Sequence, residues 1–258
     1  MKKAMFSCDV KKIEYSEPIF SMVRSFWGFI PKPLRGLLVP KIKQTKYDYV
    51  ISLGENCLTA MVLKEFGLRQ FSGPFDWIAG RGVYYRLNLI LNGFHDFLLK
   101  EDLEFADDVV DARRGTYPVR DKKNRLYLPH DFNDLNLDIS YPVVYEKYER
   151  RINRLLDKLK ESSMLMVCCS REGEILTNEF IEEMLTLISR KYCARRLDIL
   201  IVSESIDRRV FSTIYMGENS DILRVGISRE KLGSKGWCYT NYKLRAEIAQ
   251  WINTMCYL

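Results

Sequence analysis

Among seven cysteines, one stands where a thiol can do chemistry. Cys57 closes the run Gly54-Glu-Asn-Cys57, directly after the apolar stretch Tyr47–Leu53 and directly before the amphipathic stretch Leu58–Phe66. A strand feeding a helix through that run places the thiol at a helix N-terminus. Unpaired N–H groups and the positive end of the helix dipole there favour the thiolate, which is the nucleophilic form. Asn56 is placed either to cap the helix or to give an amide proton to an oxyanion, and Gly54 to make a tight turn. A purely structural reading of these residues has the glycine turning, the asparagine capping and the cysteine filling space. The local pattern alone does not choose between the two.

A thiol nucleophile needs a base, and the chain offers two histidines. His95 sits among Phe94, Phe97, Leu98 and Leu99 and reads as a helix-end residue. His130 lies in a Pro129-His-Asp-Phe132 turn after a strand, where Asp131 could orient an imidazole. Asp76, in Gly73-Pro-Phe-Asp-Trp77, is a further carboxylate, either a turn-former bonding its own backbone or an orienting acid. Arg171, just past an apolar run at 164–169, is a candidate contact for an anionic group. Lys235, Trp237 and Tyr239 in the Gly-rich 233–240 segment are candidates for a lid. With two histidines and no C-x-x-C pair, no metal site is expected. Neither a dinucleotide nor a P-loop glycine pattern occurs, so no cofactor is expected either.

The elements that must position these groups alternate. The pattern predicts a strand over 47–53, a helix over 58–66 stopped by Gly67, and a helix over 82–91 followed by a polar stretch to about 114. Thr116–Val119 and Arg125–Leu128 flank Asp121-Lys-Lys-Asn124 as a hairpin. A helix over 142–160 follows, then strand 164–169, helix 177–190, strand 197–203, a short strand at 222–227 and helix 241–253. Strands alternating with helices predict a three-layer α/β fold on a mostly parallel sheet, Rossmann-like or SGNH-hydrolase-like, with an inserted β-hairpin. Residues 47–258 form the expected catalytic domain and 1–46 an N-terminal arm.

Charge separates the two parts. The whole chain carries +6, but residues 1–46 hold eight Lys and two Arg against three acids, so the remainder is close to neutral. No basic stripe with interleaved aromatics occurs in the body, and nucleic acid is not an expected partner. The arm's run Phe20–Ile30, with prolines and basic residues after it, is suited either to pack as a short helix or to touch a membrane surface through residues 20–46. No run of about 18 apolar residues is present, and charges interrupt the start before a signal sequence can form. The expectation is a soluble cytoplasmic protein, peripheral at the membrane at most.

The runs Ser52-Leu-Gly-Glu-Asn-Cys57, Phe66-Gly-Leu-Arg69, Ser72-Gly-Pro-Phe-Asp-Trp-Ile78 and His130-Asp-Phe132 together resemble a bacterial family of papain-like cysteine peptidases, over roughly residues 47–225. The resemblance implies Cys57 as nucleophile, His130 as base and Asp131 or Asp76 as orienting acid, with Gly54, Asn56 and Trp77 in the matching motifs around the substrate. It also implies a papain-like layout, in which the cysteine's helix packs on an antiparallel sheet that supplies the histidine. The alternation of strands and helices points instead to a parallel sheet. It is similar to capsule-biosynthesis proteins with a G-N-C motif linked to acyl transfer. The expected substrate is a peptide, or an acylated small molecule or glycan. An acyltransferase or esterase in surface polysaccharide synthesis is an alternative. So is a non-catalytic module in which Gly54–Cys57 and Arg171 hold a phosphate-bearing ligand.

Overall fold

The computed structural model describes residues 46–80, 82–106, 115–170, 176–205 and 211–257. Strand β1 (Tyr49–Gly54) passes through two residues into helix α1 (Cys57–Glu65). Gly67 ends that helix in the left-handed conformation, φ 69°, which lets Leu68 N–H reach back to the Leu63 carbonyl. A two-residue strand β2 (Ala79–Gly80) precedes helix α2 (Val83–Asn92). Next come β3 (Leu103–Phe105), β4 (Tyr117–Asp121), β5 (Leu126–Phe132) and the long helix α3 (Leu137–Leu159). The second half runs β6 (Ser163–Ser170), α4 (Asn178–Tyr192), β7 (Arg196–Ser205), β8 (Phe211–Met216), β9 (Asp221–Ser228), the short α5 (Arg229–Leu232) and α6 (Tyr242–Tyr257).

The main sheet has the order β1-β6-β7-β9-β8, parallel throughout except for β8, which pairs antiparallel with β9 at one edge. Its central strands are apolar without alternation because both faces are covered. Met164, Met166 and Cys168 point into one core with α2, α3 and α4, while Leu165, Val167 and Cys169 point into the other with α1 and α6. The expected α/β architecture on a mostly parallel sheet is therefore present.

Several elements depart from the sequence expectation. The inserted hairpin is the centre of a second, four-stranded antiparallel sheet, β2-β5-β4-β3. The short β3 falls in the stretch expected to be only polar. The edge strand β8 is also additional to the expected elements; it joins β9 as a hairpin through the four residues 217–220, closed by the Gly217 N–H on the Ser220 carbonyl at 2.9 Å. Helix α3 begins well before Pro142, because Asn136 caps it by accepting a hydrogen bond from Asp138 N–H at 2.9 Å.

At the amino end of the main sheet, Asp198 is wholly buried. It accepts from Tyr47 Oη at 2.5 Å, Arg196 Nε at 2.9 Å and Asp221 N–H at 2.8 Å, with Lys46 Nζ at 3.3 Å. Burial and the adjoining Asp198 hold the Tyr47 hydroxyl far above its usual range. Every charge taken from water here has an opposite partner, as burial requires.

Candidate active site

The two sheets meet beside the cysteine. Residue Glu55, in the loop after β1, forms a parallel bridge with Ala79 of β2, and Ala79 in turn pairs with Tyr127 of β5. The two-residue β2 thus ties the Cys57 loop to the strand that carries His130. That loop is bent by two consecutive positive φ values, 78° at Gly54 and 80° at Glu55. A side chain at Gly54 would put its Cβ 2.8 Å from the Phe75 carbonyl oxygen and 3.3 Å from that of Ile78, so only glycine fits. Glu55 tolerates its strained backbone because the carboxylate accepts a hydrogen bond from Gly82 N–H at 3.1 Å.

Asn56 is the N-cap of α1. Its Oδ1 accepts from Leu58 N–H at 2.8 Å, and Cys57 is then the first helical residue, half-buried. The expected capping role is therefore met, and Asn56 lines the same cavity as Cys57.

His130 lies within β5, not in a turn following a strand. Tyr117 pairs with Phe132 and Val119 with Leu128, so two steps along β4 oppose four along β5. Pro129, His130 and Asp131 thus face the single residue Pro118, a surplus of two. A bulge of this kind re-aims side chains, and proline is at home where the ladder is interrupted. The outcome is a Cys57 Sγ to His130 Nε2 distance of 3.8 Å, across 73 residues of sequence.

The two candidate acids have other bonding partners. Asp131 accepts from Tyr148 Oη at 2.7 Å and pairs with Lys147, both on α3. Burial and that carboxylate push the Tyr148 hydroxyl well above its ordinary value. Asp76 is buried and accepts from Arg69 Nη1 at 2.9 Å and Gly73 N–H at 3.2 Å. Burial raises its carboxyl above the usual value, opposed by Arg69 and the Gly73 N–H. The Asp131 carboxylate thus bonds to α3, and that of Asp76 to Arg69 and the Gly73 turn. Asp76 is the turn-former of its loop, and it holds Trp77 at the cavity. Arg171 lies outside the described residues, as does the arm at 1–45.

Cys57 and His130 open into a cavity of about 470 Å³, within the range of about 300–1,000 Å³ usual for small-molecule sites. Asn56, Leu58 and Met61 of the cysteine's own loop and helix form one side, and Trp77 stands beside them. Trp237, Cys238 and Tyr239 also line it, so two of the three expected lid residues reach the site while Lys235 is not part of its lining. The thiol of Cys238 is held below its ordinary value by its hydrogen bond with Thr240.

Sequence reasoning missed Arg86. It is fully buried on α2 and donates to the carbonyls of Gly82 and Gly80, both at 3.0 Å, immediately behind Gly54. Arg86 thus fastens both ends of the segment that connects β2 to α2. An arginine on an amphipathic helix gives no sequence sign of this, because its carbonyl partners are visible only in three dimensions. Among the described residues, no group of three His, Cys, Asp or Glu side chains is placed to hold a metal, and no helix is long and apolar enough to cross a membrane.

A family model described as "Putative papain-like cysteine peptidase (DUF1796)" matches residues 48–204. The chain belongs to this family. An uncharacterized protein of Acanthamoeba polyphaga mimivirus is 28% identical over 155 residues, covering 54% of this chain and 69% of that protein. No solved structure matches. The family's matched span contains Cys57, His130, Asp76, Trp77 and Arg86, and it ends before Trp237–Tyr239. Two layouts that the sequence set against each other coexist in this member. The thiol stands at the carboxyl end of a parallel-sheet strand, and the imidazole comes from an antiparallel sheet.

Proposed function

We propose that the chain is a cysteine-nucleophile enzyme that attacks peptide or acyl carbonyls. The observation that carries this reading is the 3.8 Å contact of Cys57 Sγ with His130 Nε2 at an open cavity. His130 takes the Cys57 proton, and the sulfur electron pair forms a C–S bond to the carbonyl carbon while the carbonyl pair moves onto oxygen. The N–H of Cys57 and the amide protons of Asn56, whose Oδ1 is committed to the cap, hold that oxyanion. As the tetrahedral intermediate collapses, the C–N or C–O bond breaks and the leaving group takes the proton from His130. Water, deprotonated by His130, then cleaves the thioester to an acid and restores the thiol. If a glycan hydroxyl replaces water, the same acyl-enzyme yields an acyltransferase, and added acceptor changes the product. A phosphate-binding module finds less support, because no Lys or Arg stands among the described lining residues.

The scaffold is read as Rossmann-like or SGNH-hydrolase-like. Four parallel strands with helices on both faces support that reading. Residues 47–258 are the catalytic unit and 1–46 an arm suited to peripheral membrane contact, a reading supported by the arm's composition. A cytoplasmic setting is supported by the six free cysteines among the described residues.

The test is the pH dependence of iodoacetamide alkylation at Cys57 in wild type and His130→Ala, read by peptide mass spectrometry. Exposed Cys193 serves as the internal reference. Burial pushes the Cys169 thiol up to about 12 and Cys256 to about 11, so both stay unmodified. Cys57 is expected to titrate well below the free-thiol value of about 8.5 and to shift when His130 is removed. A Cys57 that titrates like a free thiol in both proteins overturns the proposal.

A further inference from the structure

We infer that Trp237–Tyr239 makes the cavity a receptor for a large, uncharged, apolar acyl group, so that this wall sets substrate selectivity. The inference rests on the cysteine-nucleophile reading and names its substrate class. Two indoles, Trp77 and Trp237, face the site together with Met61, Leu58 and the Tyr239 ring, and no carboxylate, lysine or arginine stands among the described lining residues. A charged acyl group entering this space would give up hydration without gaining a Lys or Arg partner from the described lining, whereas an alkyl or aromatic group would gain contact with Leu58, Met61, Trp77 and Trp237.

The wall is also held in place. Asn241 Nδ2 donates to the carbonyls of Leu232 at 3.0 Å and Gly236 at 2.8 Å, closing the turn before Trp237. Arg245 donates through Nη1 to the Tyr239 carbonyl and through Nε to Glu65 Oε2, both at 2.6 Å. Glu65 is the last residue of α1, which begins with Cys57. One arginine therefore ties the aromatic wall to the nucleophile's own helix. The family match supplies Cys57, His130 and Trp77, whereas the wall lies beyond residue 204. The chemical groups and the selectivity surface thus belong to different parts of the chain.

The experiment uses p-nitrophenyl acetate, p-nitrophenyl octanoate and the mono-p-nitrophenyl ester of succinate with the full chain, its Trp237→Ala variant and its Trp237→Phe variant. In each acylation the Cys57 C–S bond forms, the ester C–O bond breaks and p-nitrophenolate leaves. Release is followed by absorbance and the Cys57 adduct by mass. Burial at about fourfold per methylene, discounted for a chain covered only in part, predicts a kcat/KM for octanoate at least ~100-fold above acetate, with succinate no better than acetate. Trp237→Ala should lower the octanoate-to-acetate ratio at least ~10-fold, and Trp237→Phe should retain most of it. A succinyl ester as fast as the octanoyl ester, or an unchanged ratio in Trp237→Ala, overturns this inference and leaves the nucleophile reading standing. Absence of a Cys57 adduct with every ester overturns both.

Discussion

Substituting Gly54 by alanine tests whether the loop geometry, and not only the thiol, makes the site. Two costs can be worked out separately. At φ 78° an L-residue enters the left-handed region, which costs about 1–2 kcal/mol. The new methyl would also lie 2.8 Å from the Phe75 carbonyl oxygen, 3.3 Å from the Ile78 oxygen and 3.4 Å from Arg86 Nε. Two of these neighbours are backbone, so they cannot turn away, and overpacking of this kind costs a further ~1–3 kcal/mol. Urea unfolding followed by circular dichroism should therefore show a loss of about 2–5 kcal/mol. The relief must come from moving either Phe75–Ile78, which carries Trp77, or Gly54–Asn56, which carries the cap. Either displacement changes the position of Cys57, and a shift of order 1 Å is expected to slow its alkylation at neutral pH by ~10-fold or more. Gly67→Ala is the control. It has a comparable φ of 69°, but no atom lies within 4 Å of the added methyl, so it should cost only the backbone term and leave Cys57 reactivity unchanged. Gly54→Ala matching wild type within ~0.5 kcal/mol and retaining full alkylation rate would refute the argument.

Other outcomes follow from the same geometry. Asp131→Ala leaves the buried Tyr148 hydroxyl without its acceptor and should cost about 1–3 kcal/mol while leaving the Cys57 alkylation pH profile in place. A shifted profile would identify Asp131 as the acid that orients His130. Asp198→Asn removes the charge that faces Arg196 and Lys46 and should cost about 3–5 kcal/mol in urea, and a loss below ~1 kcal/mol would show the network is dispensable. The Asp48 carboxylate is held below its ordinary value, first by the Ser163 N–H that it accepts at 2.7 Å and then by Arg195. Because its folded value is the lower one, its contribution is present above the unfolded value and disappears as pH falls through the folded one. The urea midpoints of wild type and Asp48→Asn should therefore differ at pH 6 and converge near pH 2. A gap that persists in acid contradicts that linkage.

What the sequence could disclose depended on how local each cause was. Cys57 was legible because strand, turn and helix start occupy neighbouring residues, and the same holds for the Asn56 cap and the Gly67 stop. His130 could be picked out because only one of two histidines sits away from an apolar cluster. Its aim could not, since the bulge that turns it exists only in the register between Tyr117–Val119 and Leu128–Phe132. The partners of the acids were hidden for a related reason. Asp131 adjoins His130 in sequence, but its partners Lys147 and Tyr148 approach from α3, and nothing local announces that choice. The central strands were readable from their unbroken apolar runs. Strand β8 was not, because Ser212 and Thr213 interrupt its pattern and its pairing lies on a single edge.

The separation of 73 residues between thiol and imidazole has a consequence for the chain's own birth. Translation delivers Cys57 long before His130, and among the described residues β1 has no ladder partner until Ser163–Ser170 have been made, since it pairs there with β6 alone. Throughout that interval the cysteine stands on an unfinished polypeptide without His130 or Trp237 beside it. On the proposed function, a nascent chain therefore carries no working nucleophile among the crowded carbonyls of the ribosome exit. The proposed reactivity arrives only with the completed fold, in which the two-residue β2 joins the Cys57 loop to β5.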